Sequence, residues 1–194
     1  DGGRMTRAQF AKGVETIIAP SLLKACAPRE RRHLELCLVY EGTRRIRAEL
    51  VQSLAPLGVE VYGDPEWQMV HDRCFGDVGY FDALAPFYRS TAINVNSTSI
   101  QMATSVNQRV FDCPAAGGFL ITDAQKDLEE FFDVGDECVT YRSLDELTEL
   151  VRRYERDAHG RAHIVAKAQA RIFGQHTHAQ RLKDLEHYLR DRFM

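Results

Sequence analysis

The sequence has 194 residues, of which 44% are hydrophobic and 27% are charged, with a formal net charge of −3 and a pI near 6.2. This composition is typical of one globular domain, and it excludes the strongly basic surface that non-specific nucleic-acid binding requires. No apolar run approaches the ~20 residues of a transmembrane helix. The polar start of the chain lacks the apolar core of an export signal, and the five scattered cysteines predict reduced thiols, so we expect a cytoplasmic protein.

The first third of the chain predicts helices, a strand and a further helix. Apolar residues recur at helical spacing over residues 5–26, which indicates one or two helices. The run from Leu34 to Tyr40 favours a strand, which would end at Glu41-Gly42 before a helix capped by Thr43. Another strand is predicted over residues 58–62. We therefore divide the chain into an N-terminal helical segment or interdomain remnant, residues 1–30, and one domain, residues 31–194.

From residue 80 onward, predicted strands and helices alternate. Helices are predicted over residues 80–88, 107–113, 124–132, 144–157 and 159–192, and strands over residues 93–95, 119–122 and 137–141. Asp123 and Ser143 are the predicted caps of the helices that follow them. Strands separated by single helices are typical of parallel β-α-β units, so we predict an α/β fold, a Rossmann-like parallel sheet flanked by helices. Ligands bind such sheets at the carboxyl ends of the strands.

The predicted helix that begins near Ser105 to Asn107 carries the strongest candidate site. Unpaired backbone N–H groups at a helix start can bind a diphosphate, and Ser105 and Asn107 add side-chain donors. Arg109 can form a charge-assisted contact with phosphate, and Asp112, one turn later, can accept from ribose hydroxyls. Two alternatives stay open, in which Asn107 is only a helix cap and Arg109 only a solvated charge.

A second basic cluster, at Arg44, Arg45 and Arg47, follows the predicted turn at Glu41-Gly42. Arg44 is the candidate phosphate contact, and a solvated helix face is the alternative. The sequence contains no Gly-x-Gly-x-x-Gly motif, which argues against a dinucleotide coenzyme, and Gly117-Gly118 is interpreted as a turn rather than a phosphate loop.

Other residues of the predicted domain favour structural roles. The histidines at 176 and 178 have no metal-binding partner nearby in sequence, and Thr177 is interpreted as a cap. We expect no metal and no cofactor. The aromatic side chains of Tyr80, Phe81, Phe87 and Tyr88 recur at helical spacing and are predicted to lie in the core.

Residues 81–190 resemble the C-terminal domain of group 1 glycosyltransferases, especially the CgeB-like branch, which have the GT-B fold. The resemblance rests on the helix and strand of residues 82–96 and on the block Arg109-Val110-Phe111-Asp112 through Ala116-Gly117-Gly118, which precedes an apolar strand. Residues 61–64, before Trp67, are also similar to that branch.

The resemblance implies the C-terminal half of a GT-B enzyme, which binds a nucleotide diphosphate sugar and transfers the sugar to an unknown acceptor, with retention of configuration. It also implies that Asp112 holds the ribose and that an N-terminal half completes the enzyme, so we expect this chain alone to bind a donor without transferring sugar. Many group 1 enzymes have a second acidic residue, and its position falls on Thr104. This difference keeps open an alternative, a non-catalytic Rossmann-like binding or scaffold domain.

Overall fold

The computed structural model describes residues 25–193, so all but the last two residues of the helices predicted over residues 5–26 lie outside the described residues. The helices are α1 (Pro28–Leu54), α2 (Leu84–Ser90), α3 (Arg109–Ala115), α4 (Leu144–Arg156), α5 (Ala158–Gln175) and α6 (His178–Phe193). The strands are β1 (Val61–Tyr62), β2 (Cys74–Phe75), β3 (Asn94–Asn96), β4 (Leu120–Asp123) and β5 (Val139–Tyr141). Short 3₁₀ helices cover Ala55–Leu57, Pro65–Met69 and Lys126–Glu130. Over residues 25–193, no helix is long and apolar enough to cross a membrane.

All five of these strands are in parallel pairs. β1 pairs with β2, and β3, β4 and β5 form a three-stranded sheet in that order, with Val95 opposite Ile121 and Ile121 opposite Val139. Helix α3 connects β3 to β4, and helices lie against the sheet. The predicted α/β fold with parallel strands flanked by helices is confirmed, and the parallel pairing of β3, β4 and β5 brings their carboxyl ends to one edge.

The core lies between the three-stranded sheet and the helices α1, α4 and α5. Ile121 in the central strand and Leu147 in α4 are fully buried, and Leu54 near the end of α1 is 2% exposed. A second apolar cluster joins α3, the 3₁₀ helix of residues 126–130 and α5 through Val110, Leu128 and their neighbours. Burial of a large aliphatic side chain stabilises a fold by about 1.5–3 kcal/mol, so these clusters fix α3 relative to the sheet.

The predicted strand from Leu34 to Tyr40 is wrong, because these residues lie inside the 27-residue helix α1. Pro28 stands in the first turn of α1, and the Glu30 side chain accepts a hydrogen bond from the Ala27 N–H at 2.8 Å, which are two signals of a helix start. Glu41 accepts from the side chains of arginines three and four residues later, a spacing that brings side chains together only in a helix. Local helical pairing thus overrides the β preference of the apolar run.

Several predicted helices have different bounds in the structure. Helix α2 begins at Leu84 rather than at Tyr80, and Pro86 is accommodated in its first turn. The segment after β4 is a 3₁₀ helix instead of the predicted helix over residues 124–132, and Asp123 does not cap it. The Asp123 carboxylate instead accepts hydrogen bonds from the loop after β3.

The predicted helix over residues 144–157 and its cap are confirmed, since the Ser143 side chain accepts from the Glu146 N–H. The predicted helical tail is two helices, which are separated at residues 176–177. The predicted cap there is confirmed as well, because the Thr177 hydroxyl accepts from the Gln180 N–H at 3.3 Å.

Candidate functional site at the carboxyl edge of the parallel sheet

A buried polar network lies where β3, β4 and β5 end. We call it the polar edge, and it consists of Asn96, Ser97, Thr98, Thr122, Asp123 and Gln125, each at most 9% exposed. The Asn96 amide donates to the Thr122 hydroxyl at 2.9 Å, and the Tyr141 hydroxyl donates to the Asn96 carbonyl at 3.0 Å. These bonds join the ends of the three strands directly. Polar groups are costly to bury unless they are hydrogen-bonded, so their concentration at one edge sets this region apart from the apolar core.

Asp123, the last residue of β4, is the centre of the polar edge. Its carboxylate accepts from the Thr98 N–H at 2.8 Å, from the Thr98 hydroxyl at 3.0 Å and from the Gln125 side-chain amide at 2.5 Å. The loop that follows β3 is thereby attached to the end of β4. Sequence analysis missed this role because Thr98 is 25 residues away along the chain.

Asn107 connects the polar edge to helix α3. Its amide donates to the Asn96 side chain at 3.0 Å, and its side-chain oxygen accepts from the Arg109 N–H at 3.1 Å. Helix α3 has only seven residues and begins at Arg109, so the predicted helix start near Ser105 to Asn107 is wrong. Ser105 is exposed in the loop before it. Asn107 therefore bonds the first backbone N–H of α3 and links the start of this helix to the polar edge.

Asp112 lies one turn along α3 from the exposed side chain of Arg109. Burial raises the pKa of the Asp112 carboxyl, and the positive charges of His178 and Arg109 oppose that rise. Burial likewise raises the pKa of the Tyr88 hydroxyl, again against the charge of Arg109. Arg109, Asp112 and Tyr88 are thus close enough to interact electrostatically. They form a partly buried group of charged and polar side chains on one side of α3.

The predicted phosphate contact on α1, Arg44, and the nearby Arg47 have different surroundings. The Arg44 guanidinium donates twice to Glu41, at 2.7 and 2.9 Å, on an exposed helix surface. Hydrogen bonds from Arg44 and Arg45 lower the pKa of Glu41 to about 2. Arg47 instead reaches the loop after β3, where its guanidinium lies 3.4 Å from the Ser97 carbonyl. It is the basic residue of α1 that touches the polar edge, and sequence analysis did not select it.

The Ser97 hydroxyl, next to Arg47, is buried and has no hydrogen-bonding partner within residues 25–193. Buried hydroxyls in proteins are generally paired, so this one is an exception at the end of β3. The neighbouring Ser99 hydroxyl lies 3.5 Å from Arg47.

Thr104 stands beside a carboxylate. Its hydroxyl donates to the Asp127 carboxylate at 2.9 Å, and the Asp127 N–H donates to the Thr104 carbonyl at 3.1 Å. Asp127 belongs to the 3₁₀ helix after β4, which packs along the loop between β3 and α3. An acidic group is therefore present next to Thr104, although the sequence position itself is not acidic.

The two glycines after α3 form a tight turn. Gly117 has a φ of +92°, which strongly favours glycine, and a Cβ atom at Gly118 would lie 2.7 Å from the Tyr88 carbonyl oxygen and 2.9 Å from the Cys113 sulfur. Gly118 is buried, so there is no space for a phosphate against it. The interpretation of these glycines as a turn is confirmed. Cys113 is a packed thiol, and burial and the nearby Asp112 raise its pKa to about 12.

Among residues 25–193, no three His, Cys, Asp or Glu side chains come together in a group that could hold a metal ion. The ring of His176 packs against three phenylalanines, and its Nε2 lies 3.2 Å from the Phe131 carbonyl oxygen. The candidate site therefore consists of hydrogen-bonding and charged side chains, which can bind an anionic, hydroxyl-rich molecule.

The parallel sheet, its helical cover and the polar edge at the strand ends define a Rossmann-like α/β domain. A family model described as glycosyl transferase-like matches residues 44–187, which is well over half of the chain, and the protein belongs to this family. Its family indicates a glycosyltransferase-type function. No curated protein and no solved structure shows significant similarity to the chain. The predicted group 1 and CgeB-like assignments stay predictions.

Proposed function

We propose that this chain is the donor-binding domain of a glycosyltransferase, and that it binds a nucleotide diphosphate sugar at the polar edge. The observation that carries the proposal is the buried network at the carboxyl ends of β3, β4 and β5, which stands beside Arg109 and Asp112 in a chain of the glycosyl transferase-like family. Parallel α/β sheets bind their ligands at this edge.

Each candidate residue has a chemical role in this proposal. Arg109, whose side chain is exposed, contacts the diphosphate, and Asn107 holds the start of α3 by accepting from the Arg109 backbone N–H. Asp112 accepts hydrogen bonds from the ribose. Ser105 is a further donor, because its hydroxyl is exposed in the loop before α3. Arg44 is the weakest of the predicted contacts, because its guanidinium is already paired with the Glu41 carboxylate.

Arg47 is a stronger candidate than Arg44 for the contact that α1 makes with phosphate. Its guanidinium lies against the loop after β3, close to the buried Ser97 hydroxyl. A guanidinium can donate two parallel hydrogen bonds to the oxygens of a phosphate group, and a serine hydroxyl can add a third. We include both residues in the proposed donor site.

The proposed chemistry is electrostatic. When the sugar leaves the nucleoside diphosphate, negative charge accumulates on the phosphates, and Arg109 and Arg47 stabilise it without a metal ion. The acceptor binds to an N-terminal half of a GT-B enzyme, and the transfer retains the configuration of the sugar. This chain alone binds the donor but does not transfer the sugar.

Asp127 is the proposed acidic contact for the donor sugar. Its carboxylate is hydrogen-bonded to Thr104, the position at which the resemblance implies an acidic residue. A carboxylate that accepts from sugar hydroxyls can therefore come from the 3₁₀ helix after β4 instead of from the loop before α3. Asp127 thus supplies an acidic contact although Thr104 itself is not acidic, the difference that otherwise favours a non-catalytic scaffold.

Isothermal titration calorimetry with UDP, GDP and their sugars tests the proposal. We expect at least one of these ligands to bind, and we expect Arg109→Ala to weaken it about tenfold or more, since a charged hydrogen bond contributes about 1.5–3 kcal/mol. Asp112→Ala should weaken binding of the same ligands, and Asp127→Asn should weaken the nucleotide sugar more than the free nucleotide.

Arg152→Ala is the matched control, because Arg152 is an exposed arginine in the interior of α4. It should leave every affinity unchanged. Absence of measurable heat with all of these ligands would contradict donor binding by this chain and would favour the scaffold alternative. Affinities that fall equally in Arg109→Ala and Arg152→Ala would contradict the proposed placement of the diphosphate.

A further inference from the structure

Two adjacent aromatic side chains, Tyr80 and Phe81, are exposed to solvent. Their exposed fractions are 56% and 87%, although their helical spacing predicts a place in the core. That prediction is wrong because α2 begins only at Leu84, so both residues lie in the turn before it and not on its buried face. By contrast Tyr88, on α2 itself, is 7% exposed. Neighbouring large apolar side chains that stay exposed commonly mark a contact surface.

The rings of Tyr80 and Phe81 meet almost at right angles. Their centroids are 5.3 Å apart and their planes make an angle of 84°. This edge-to-face contact is a favoured arrangement of aromatic pairs, and here it forms the two walls of a corner. A flat molecule can stack on one wall while its edge meets the other.

The aromatic corner is attached to the start of α3. The Gln108 side-chain amide donates to the Tyr80 hydroxyl, and Gln108 immediately precedes Arg109. Asp112 is four residues after Gln108, so the two residues lie on the same face of α3. The corner therefore adjoins the residues assigned above to the diphosphate and the ribose.

We propose that Tyr80 and Phe81 form the binding surface for the nucleobase of the donor. The proposal rests on the proposed function, because it requires a nucleotide at α3. In a nucleotide the base is bonded directly to the ribose, so a ribose at Asp112 brings the base next to the corner that Gln108 holds. Stacking on aromatic side chains suits every base, because each base presents a π face. It strengthens binding by roughly fivefold to a hundredfold for one base.

Titrations of UDP and GDP into three variants test this assignment. Phe81→Ala should weaken binding of the nucleotide at least roughly fivefold. Tyr80→Ala should weaken it similarly, and Tyr80→Phe should weaken it less, since the ring stays but its hydrogen bond to Gln108 is lost. Inorganic pyrophosphate, used as a competitor, reports on the diphosphate contacts alone. Its dissociation constant should be the same for the parent and the three variants. Phe193→Ala is the matched control, because it removes a 72% exposed aromatic ring at the far end of α6.

The outcomes separate this inference from the function on which it rests. If the parent protein binds neither nucleotide, the proposed function fails and the base site fails with it. If the parent binds UDP or GDP and both alanine variants bind as tightly, donor binding stands and the aromatic base site is overturned. An equal loss of pyrophosphate and nucleotide binding also overturns it, since the base would then make no separate contribution. Thermal melts of the variants should match the parent, because both side chains are exposed.

Discussion

Replacement of Asp123 by alanine tests the polar edge most directly. The substitution removes the acceptor for at least four hydrogen bonds, two from Thr98, one from the Thr122 hydroxyl and one from Gln125. Thr98 is 1% exposed and Gln125 is 6% exposed, so water cannot readily replace the carboxylate. Each buried donor left unpaired costs about 1–3 kcal/mol, while removal of the buried charge recovers part of its desolvation cost. We therefore expect a loss of about 2–4 kcal/mol in the free energy of unfolding.

Thermal and urea denaturation measure this loss. For a chain of this size, 1 kcal/mol corresponds to about 2–4 °C in Tm, so Asp123→Ala should lower Tm by roughly 5–15 °C. Asp123→Asn should be milder, because the asparagine oxygen can still accept from Thr98 and the Gln125 amide can rotate. Asp72→Ala, at an exposed position, is the control and should leave Tm unchanged. A Tm for Asp123→Ala within 2 °C of the parent would refute the role of this carboxylate.

Three further predictions follow from packing and ionisation. Gly118→Ala should destabilise the protein by about 1–3 kcal/mol in urea unfolding, because its Cβ would overlap the Tyr88 carbonyl oxygen. Gly174→Ala, in α5 with open space around it, should be neutral or stabilising by up to about 1 kcal/mol. Equal stabilities of the two variants would contradict this reasoning. The exposed thiol of Cys37 should react with a thiol reagent at pH 8 in the native protein. Cys113 is buried and its pKa is raised to about 12, so it should react only after unfolding. Mass spectrometry of the labelled peptides measures both reactions. Burial raises the pKa of the Asp112 carboxyl, so the folded state loses stability as the pH rises through that pKa. Asp112→Asn should therefore raise Tm relative to the parent at pH 7 and not at pH 3. A lower Tm for Asp112→Asn at pH 7 would show that the folded protein stabilises the charged form of Asp112.

The fold class could be predicted from the sequence because its signals are local. Apolar runs flanked by turn residues and caps such as Ser143 are read within a few positions, and from residue 93 onward they predict the order of the strands and most of the helices, although the segment after β4 is a 3₁₀ helix and the tail is two helices. Short segments with a mixed signal could not be predicted in the same way. Leu34–Tyr40 has β-favouring residues, and only the surrounding helical pairs make it part of α1.

The candidate site depended on contacts between distant residues. The sequence determined that Arg109 and Asp112 would share one short helix, since their spacing is local. Only the tertiary structure decided that Asp123 binds the loop at Thr98, that Arg47 rather than Arg44 touches the strand ends, and that Asp127 supplies a carboxylate beside Thr104. The physical reason is that the local sequence determines which side chains a segment carries. The parallel pairing of the strands and the packing of the helices determine which segments meet at the same edge of the sheet.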